Sequence, residues 1–183
     1  MQTIGVIADT HIPDRSRQIP PKALELFQQA QVTQIIHAGD ISIKSALKPL
    51  EAIAPVIAVR GNRDLLYFAD LPWSQTLQVE DVSIGITHGH GSWPRYIRDR
   101  ILLAFRSLKK FSYYENIARA MLPETKVVVL GHNHAPANYW INDQLVFNPG
   151  SPAHPNPAVP DLKPSIGFLR IDGHNVEGEI VFL

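Results

Sequence analysis

Apolar residues in this chain fall into short runs, each stopped by a glycine or a polar pair. Lys126-Val127-Val128-Val129-Leu130 is the plainest. It is a β-branched run that ends at Gly131 and reads as a buried parallel strand. Thr3 to Ala8, Ile35 to Ala38 and Val56 to Val59 have the same form. Between them, Ala23, Leu24, Phe27 and Ala30 repeat at helical spacing behind Pro20-Pro21, where proline suits a first turn. Ser45 to Ile53 reads as a short helix interrupted or started near Pro49. The order β-α-β-α-β predicts a parallel sheet with right-handed crossovers.

The pattern then changes. Thr76–Val79 and Val82–Thr87 flank Glu80-Asp81, which predicts a hairpin. Pro94 to Lys110 carries Ile97, Ile101, Ala104, Phe105 and Leu108 on one helical face and is rich in Arg and Lys elsewhere. A second helix is expected over Ser112 to Met121. Two further hairpins are expected, Tyr139–Ile141 with Leu145–Phe147 and Ser165–Ile171 with Val176–Phe182. A proline-rich loop over residues 152–164 separates them. The expected architecture is α/β, two sheets packed face to face with helices outside, in a single domain over residues 1–183.

Composition narrows the chemistry. Apolar residues make up 45% of the 183, a globular proportion, and 17 Lys and Arg balance 17 Asp and Glu. Net charge therefore gives no long-range attraction to nucleic acid or anionic membrane. The chain has no cysteine, so any metal must be held by His, Asp, Asn or Glu. No apolar run approaches a bilayer span, and the first residues enter a strand pattern at once. A cytoplasmic protein is the resulting expectation.

The eight histidines matter by placement. Five predicted strands end in polar residues: Asp9 and His11, Asp40, Asn62, His88, and His132 with His134. Open α/β sheets place ligands at such carboxyl ends. Two carboxylates, one amide and four imidazoles exceed the needs of one tetrahedral zinc. They suit two metal ions sharing a bridging carboxylate, and the mix of oxygen and imidazole donors points to Mn, Fe, Zn or Ni.

Asp9-x-His11, Gly39-Asp40, Gly61-Asn62-x-Asp64, His88 and Gly131-His132-x-His134, in this order, resemble the motifs of the calcineurin-like metallophosphoesterase superfamily. With Asn148-Pro149-Gly150-Ser151 and the short length, the chain is similar to that family's small YfcE/MJ0936-type phosphodiesterase branch. That branch is itself related to the retromer subunit Vps29. The resemblance implies a four-layer αββα sandwich of two mixed sheets. It implies two divalent ions, with manganese the leading expectation. Asp9, His11 and His134 would hold one ion, Asn62, His88 and His132 the other, and Asp40 would bridge them. Ions about 3.5–4 Å apart clamp phosphate oxygens and generate a hydroxide nucleophile.

The implied activity is metal-dependent phosphodiester hydrolysis; the alternative is a binding scaffold of the same fold with little or no catalysis. The formal charge left by two divalent ions, two aspartates and a hydroxide is neutralised by a diester and overshot by a monoester dianion. Expected partners are a small phosphate ester or nucleotide; a nucleic-acid substrate and a homo-oligomer stay open. Where many superfamily members have histidine after the asparagine, this chain has Arg63, which holds phosphate but cannot donate a proton near neutrality. His90 and His154 are candidate replacements as leaving-group acid. Asp64 either orients a ligand or Arg63, or caps the next segment; His37 reads as a core or sheet-edge residue and His174 as exposed. The basic face after Arg95 is read first as a solvated face, with a dimer contact or substrate-drawing rim as alternatives. In the resembled branch the Asn148–Ser151 turn lies near the site, and the proline-rich loop is expected to shape the pocket mouth.

Overall fold

The computed structural model of the chain describes residues 1–64, 70–92, 94–98 and 112–183. Its strands form two five-stranded sheets. The first has the order β10(Asn175–Phe182)-β9(Ser165–Asp172)-β1(Gln2–Ile7)-β2(Gln34–His37)-β3(Val56–Ala58). β1, β2 and β3 run parallel, while β9 lies antiparallel to β1 and β10 to β9. The second has the order β4(Ser74–Val79)-β5(Val82–Thr87)-β6(Val127–Val129)-β8(Gln144–Asn148)-β7(Ala137–Ile141). Its three central strands are parallel and both edges are closed by antiparallel partners. Both sheets are mixed, as expected.

The alternation of side chains along each strand sets the layers. On β1 and just beyond it, Ile4, Val6 and Ala8 face Ile84, Ile86, Val127, Val129 and Phe147 of the other sheet, forming a core between sheets. Ile7 faces the opposite way, toward Phe27 of α1(Pro21–Gln29) and Leu50 of α2(Lys48–Glu51). Val128, Leu130 and Val146 face outward from the second sheet onto Ala118 of α3(Ser112–Met121). The result is helix, sheet, sheet, helix: an αββα sandwich. A strand buried on both faces needs no alternation of polarity, which is why the parallel strands read as unbroken apolar runs.

The helix expected over Ser45 to Ile53 is instead a 3₁₀ turn, Lys44–Ala46, followed by the four-residue α2 with Pro49 in its first turn. Of the helix expected over Pro94 to Lys110, residues 94–98 are helical and the rest lies outside the described residues. His37 is fully buried, with Nε2 3.0 Å from Thr10 Oγ1. His174 is exposed in the turn between β9 and β10, 3.5 Å from Asp81. No helix among the described residues is long and apolar enough to cross a membrane.

Candidate metal centre

The carboxyl ends of β1, β2, β3, β5 and β6 lie side by side, because β1–β3 and β5–β6 are parallel and the two sheets are stacked. Backbone pairing continues past the strands: Asp9 N donates to Gly39 O at 3.0 Å, His11 N to Asp40 O at 3.0 Å, and Gly131 N to His88 O at 3.3 Å. The loops are crowded enough to demand glycine. A Cβ on Gly61 would sit 2.2 Å from Asp40 Oδ1, and one on Gly131 2.8 Å from Asp9 Oδ2.

All seven residues singled out as metal ligands meet here, in two groups. In one, Asp9 Oδ1, His11 Nε2 and His134 Nε2 converge. The two imidazole nitrogens are 3.1 Å apart, and Asp9 Oδ1 lies 3.8 Å from His11 and 3.4 Å from His134. In the other, Asn62 Oδ1 lies 3.2 Å from His88 Nε2 and 3.0 Å from His132 Nδ1, and those nitrogens are 3.3 Å apart. Asp40 stands between: Oδ2 is 3.7 Å from His11 Nε2 and Oδ1 is 3.4 Å from His88 Nε2.

Five of the seven, Asp9, His11, Asp40, His132 and His134, have φ between 49° and 73°. Asp and His tolerate this left-handed region better than most residues, but each instance still costs on the order of 1 kcal/mol. Such strain persists where the surrounding structure over-determines it, and the braces are visible. His132 N donates to Asp9 Oδ2 at 2.9 Å, which leaves Asp9 Oδ1 facing the cluster. His88 Nδ1 engages Ala38 O at 2.8 Å and His134 Nδ1 engages the His154 carbonyl, so each presents Nε2 inward. Asp64 accepts from Ile41 N and Ser42 N through Oδ1 and from Gly61 N through Oδ2, each at 2.8 Å. It therefore ties the Asp40 loop to the Asn62 loop and does not brace Arg63.

The electrostatics of the group suit a cation. Asp9 Oδ1 is buried and accepts no hydrogen bond from a described residue. Burial pushes the Asp9 carboxyl up to about 6, although His134 and His88 pull it down. Burial also opposes charge on His88, but the Asp40 carboxylate outweighs it by charge and hydrogen bond and pushes His88 up to about 10. Against its own burial, Asp40 is held well below the carboxylate range by His88. Burial pushes His11 down to about 3 and lowers His132 strongly, so both are neutral, the form that ligates metals. An orphaned carboxylate oxygen, inward-facing imidazole lone pairs and an oriented outer shell fit divalent cations.

The remaining candidates lie around this cluster. Arg63 donates its backbone N–H to Asp40 Oδ1 at 2.8 Å, but its half-exposed guanidinium points to Asp14 at 3.8 Å. His90 is buried with its ring 5.4 Å from His88 and 6.0 Å from His132; burial pushes it down to about 3, so it is neutral. The His154 backbone carbonyl takes part through His134, as above. Its loop is tied to the site, since Asn156 N donates to His134 O at 3.1 Å and Asn156 Nδ2 to Asn133 O at 2.6 Å. Ser151 Oγ donates to Asp9 O at 2.9 Å. The sequence carries no signal for Tyr96, whose hydroxyl accepts from Asn62 Nδ2 at 3.2 Å and so turns Asn62 Oδ1 inward. It carries none either for Thr10, which joins the Asp9–His11 turn to His37.

The calcineurin-like phosphoesterase superfamily domain matches residues 2–173. The chain is 36% identical over 179 residues to a probable metallophosphoesterase of Methanothermobacter thermautotrophicus, covering 97% of this chain and 91% of that one. It is 28% identical over 160 residues to the phosphodiesterase MJ0936 of Methanocaldococcus jannaschii, covering 80% and 82%. In fold it matches a single mutant of Vps29 from Entamoeba histolytica with a TM-score of 0.74 at 22% identity, covering 100% and 99% of the two chains. The family carries divalent metals and phosphoester hydrolysis, and the chain belongs to it: it is a member of the calcineurin-like phosphoesterase superfamily.

Proposed function

We propose that the chain is a phosphodiesterase whose two divalent ions are held by Asp9, His11 and His134 on one side and Asn62, His88 and His132 on the other, with Asp40 serving both. The carrying observation is Asp40. Its two oxygens face opposite groups, one toward His11 and one toward His88. A carboxylate serving a single ion has no need of that placement. Bound there, divalent ions supply Lewis acidity toward phosphate oxygens and lower the pKa of water.

The protein's own residues do the rest. Asp64, His37 and Tyr96 hold the ligand-bearing loops and side chains in place, so little reorganisation is needed on binding. With two aspartates in the centre, a substrate monoanion balances the formal charge better than a dianion, which favours diesters. The Arg63 guanidinium, paired with Asp14 at the rim, attracts and orients phosphate but supplies no proton. His90, neutral and next to the second group, is a weak acid for a departing alkoxide. Substrates with good leaving groups are therefore favoured. The mixed oxygen and imidazole donors suit Mn, Fe, Zn or Ni, and the family resemblance puts manganese first among them.

The test is hydrolysis of bis-p-nitrophenyl phosphate with added manganese, before and after chelation, alongside elemental analysis. Chelator-sensitive turnover faster than that of p-nitrophenyl phosphate is expected. No turnover and no bound metal would point to a binding scaffold, the reading that the likeness to Vps29 keeps in view.

A further inference from the structure

Beside the Asn62–His88–His132 group the molecule is built of rings. Trp73 meets His90 edge-on at 5.3 Å, His90 meets Tyr96 at 5.8 Å, Tyr96 meets His132 at 6.0 Å, and Tyr114 meets His132 at 4.4 Å. Beyond this wall lies a cavity of about 570 Å³, whose lining includes Trp73, Gly91, Ser92, Arg95, Ile117 and Met121, with Ala120 beside them. That volume suits a bound organic group of nucleoside size. Among the described residues the lining is apolar apart from the exposed Ser92 and Arg95. Gly91, next in the chain to His90, places its inner end one ring from the candidate ligands.

The chemistry of the lining selects a planar occupant. The Arg60 guanidinium lies 3.8 Å from the centre of the Trp73 ring, and Arg60 N donates to Pro72 O at 2.8 Å, so the indole is oriented in advance. An indole, a thioether and a guanidinium each gain from an aromatic plane beyond what an aliphatic chain of equal area would give. Nothing in the metal centre itself explains these features.

We propose that this cavity is the subsite for one aromatic ester substituent, so that the substrates are aryl- or nucleoside-substituted phosphodiesters. This rests on the phosphodiesterase reading but is tested apart from it. Phenylphosphonate and methylphosphonate share a charged head and cannot be hydrolysed. Isothermal titration of the manganese-loaded protein should find phenylphosphonate about tenfold tighter or better. Trp73→Leu and Ala120→Trp, the second filling the cavity from an exposed helix position, should each bring the ratio to within about twofold, and Trp73→Phe should keep it. Equal affinities in the unaltered protein, no binding of either phosphonate, or a ratio untouched by both Trp73→Leu and Ala120→Trp overturns the proposal. Failure of the parent reading shows separately, as absent hydrolysis of bis-p-nitrophenyl phosphate.

Discussion

Asp64→Asn isolates the brace beneath the centre. The carboxylate is fully buried and receives three backbone N–H groups at 2.8 Å, two from the loop after β2 and one from the loop after β3. An asparagine can place its oxygen against Ile41 N and Ser42 N, but its amide nitrogen then faces the Gly61 N–H, donor against donor. The flipped amide satisfies Gly61 and abandons the other two. A buried donor without an acceptor costs roughly 1–3 kcal/mol, and hydrogen bonds to a charged acceptor are worth about twice neutral ones. The relief of no longer burying a carboxylate offsets part of this. The expected loss is about 2 kcal/mol, against about 4 kcal/mol for Asp64→Ala, which strands all three donors. Urea denaturation of the metal-stripped protein measures it as a lowered midpoint at unchanged slope. Because the two loops carry Asp40 and Asn62, manganese affinity should also fall, by about 10- to 100-fold as for other outer-shell changes. An Asp64→Asn protein within about 0.5 kcal/mol of the parent, with manganese affinity unchanged, would refute the brace.

His132→Gly removes one imidazole while giving the backbone a residue suited to its φ of 73°; activity should be lost with stability changed by no more than about 1 kcal/mol, and a collapsed thermal transition would contradict the assignment. The His88–Asp40 pair makes metal-free stability depend on pH. His88 is raised from 6.5 to about 10, so its contribution is complete below 6.5 and lost as pH rises through about 10, while Asp40, depressed, contributes above its ordinary 3.8 and loses that contribution only as pH falls. Thermal melts of stripped protein should therefore decline from pH 7 to 10, and manganese, which must displace the His88 proton, should bind more tightly over the same range; a flat metal-free melt profile argues against the pair. With Arg63 unable to donate a proton and His90 neutral, rates over a series of substituted phenyl diesters should fall steeply as leaving-group pKa rises, and a flat dependence would mean that a general acid acts after all.

What could be read from the sequence follows from backbone periodicity. An apolar run that stops at glycine fixes where a parallel strand ends, and that is enough to place Asp40, Asn62 and His132 at the same edge of the sandwich. The braces are another matter. Asp64 lies three residues past Gly61 in an irregular turn, so its direction depends on the Asp40 loop arriving from β2, and no local spacing encodes that meeting. Tyr96 reaches Asn62 from a helical segment whose apolar pattern points to Ile97 and not to the phenol. The aromatic wall is assembled from the residue before β4, the loop after β5, residues 94–98 and α3, four separated stretches with no shared period. Chemistry carried by strand ends was visible because strands impose order on sequence. What selects and steadies a substrate sits in loops and between helices, where only the folded chain brings the residues together. Substitutions at the braces and the aromatic wall are thus the ones that separate holding the metals from choosing the substrate: Asp64 should move metal affinity, and Trp73 should move only the discrimination between planar and small substituents.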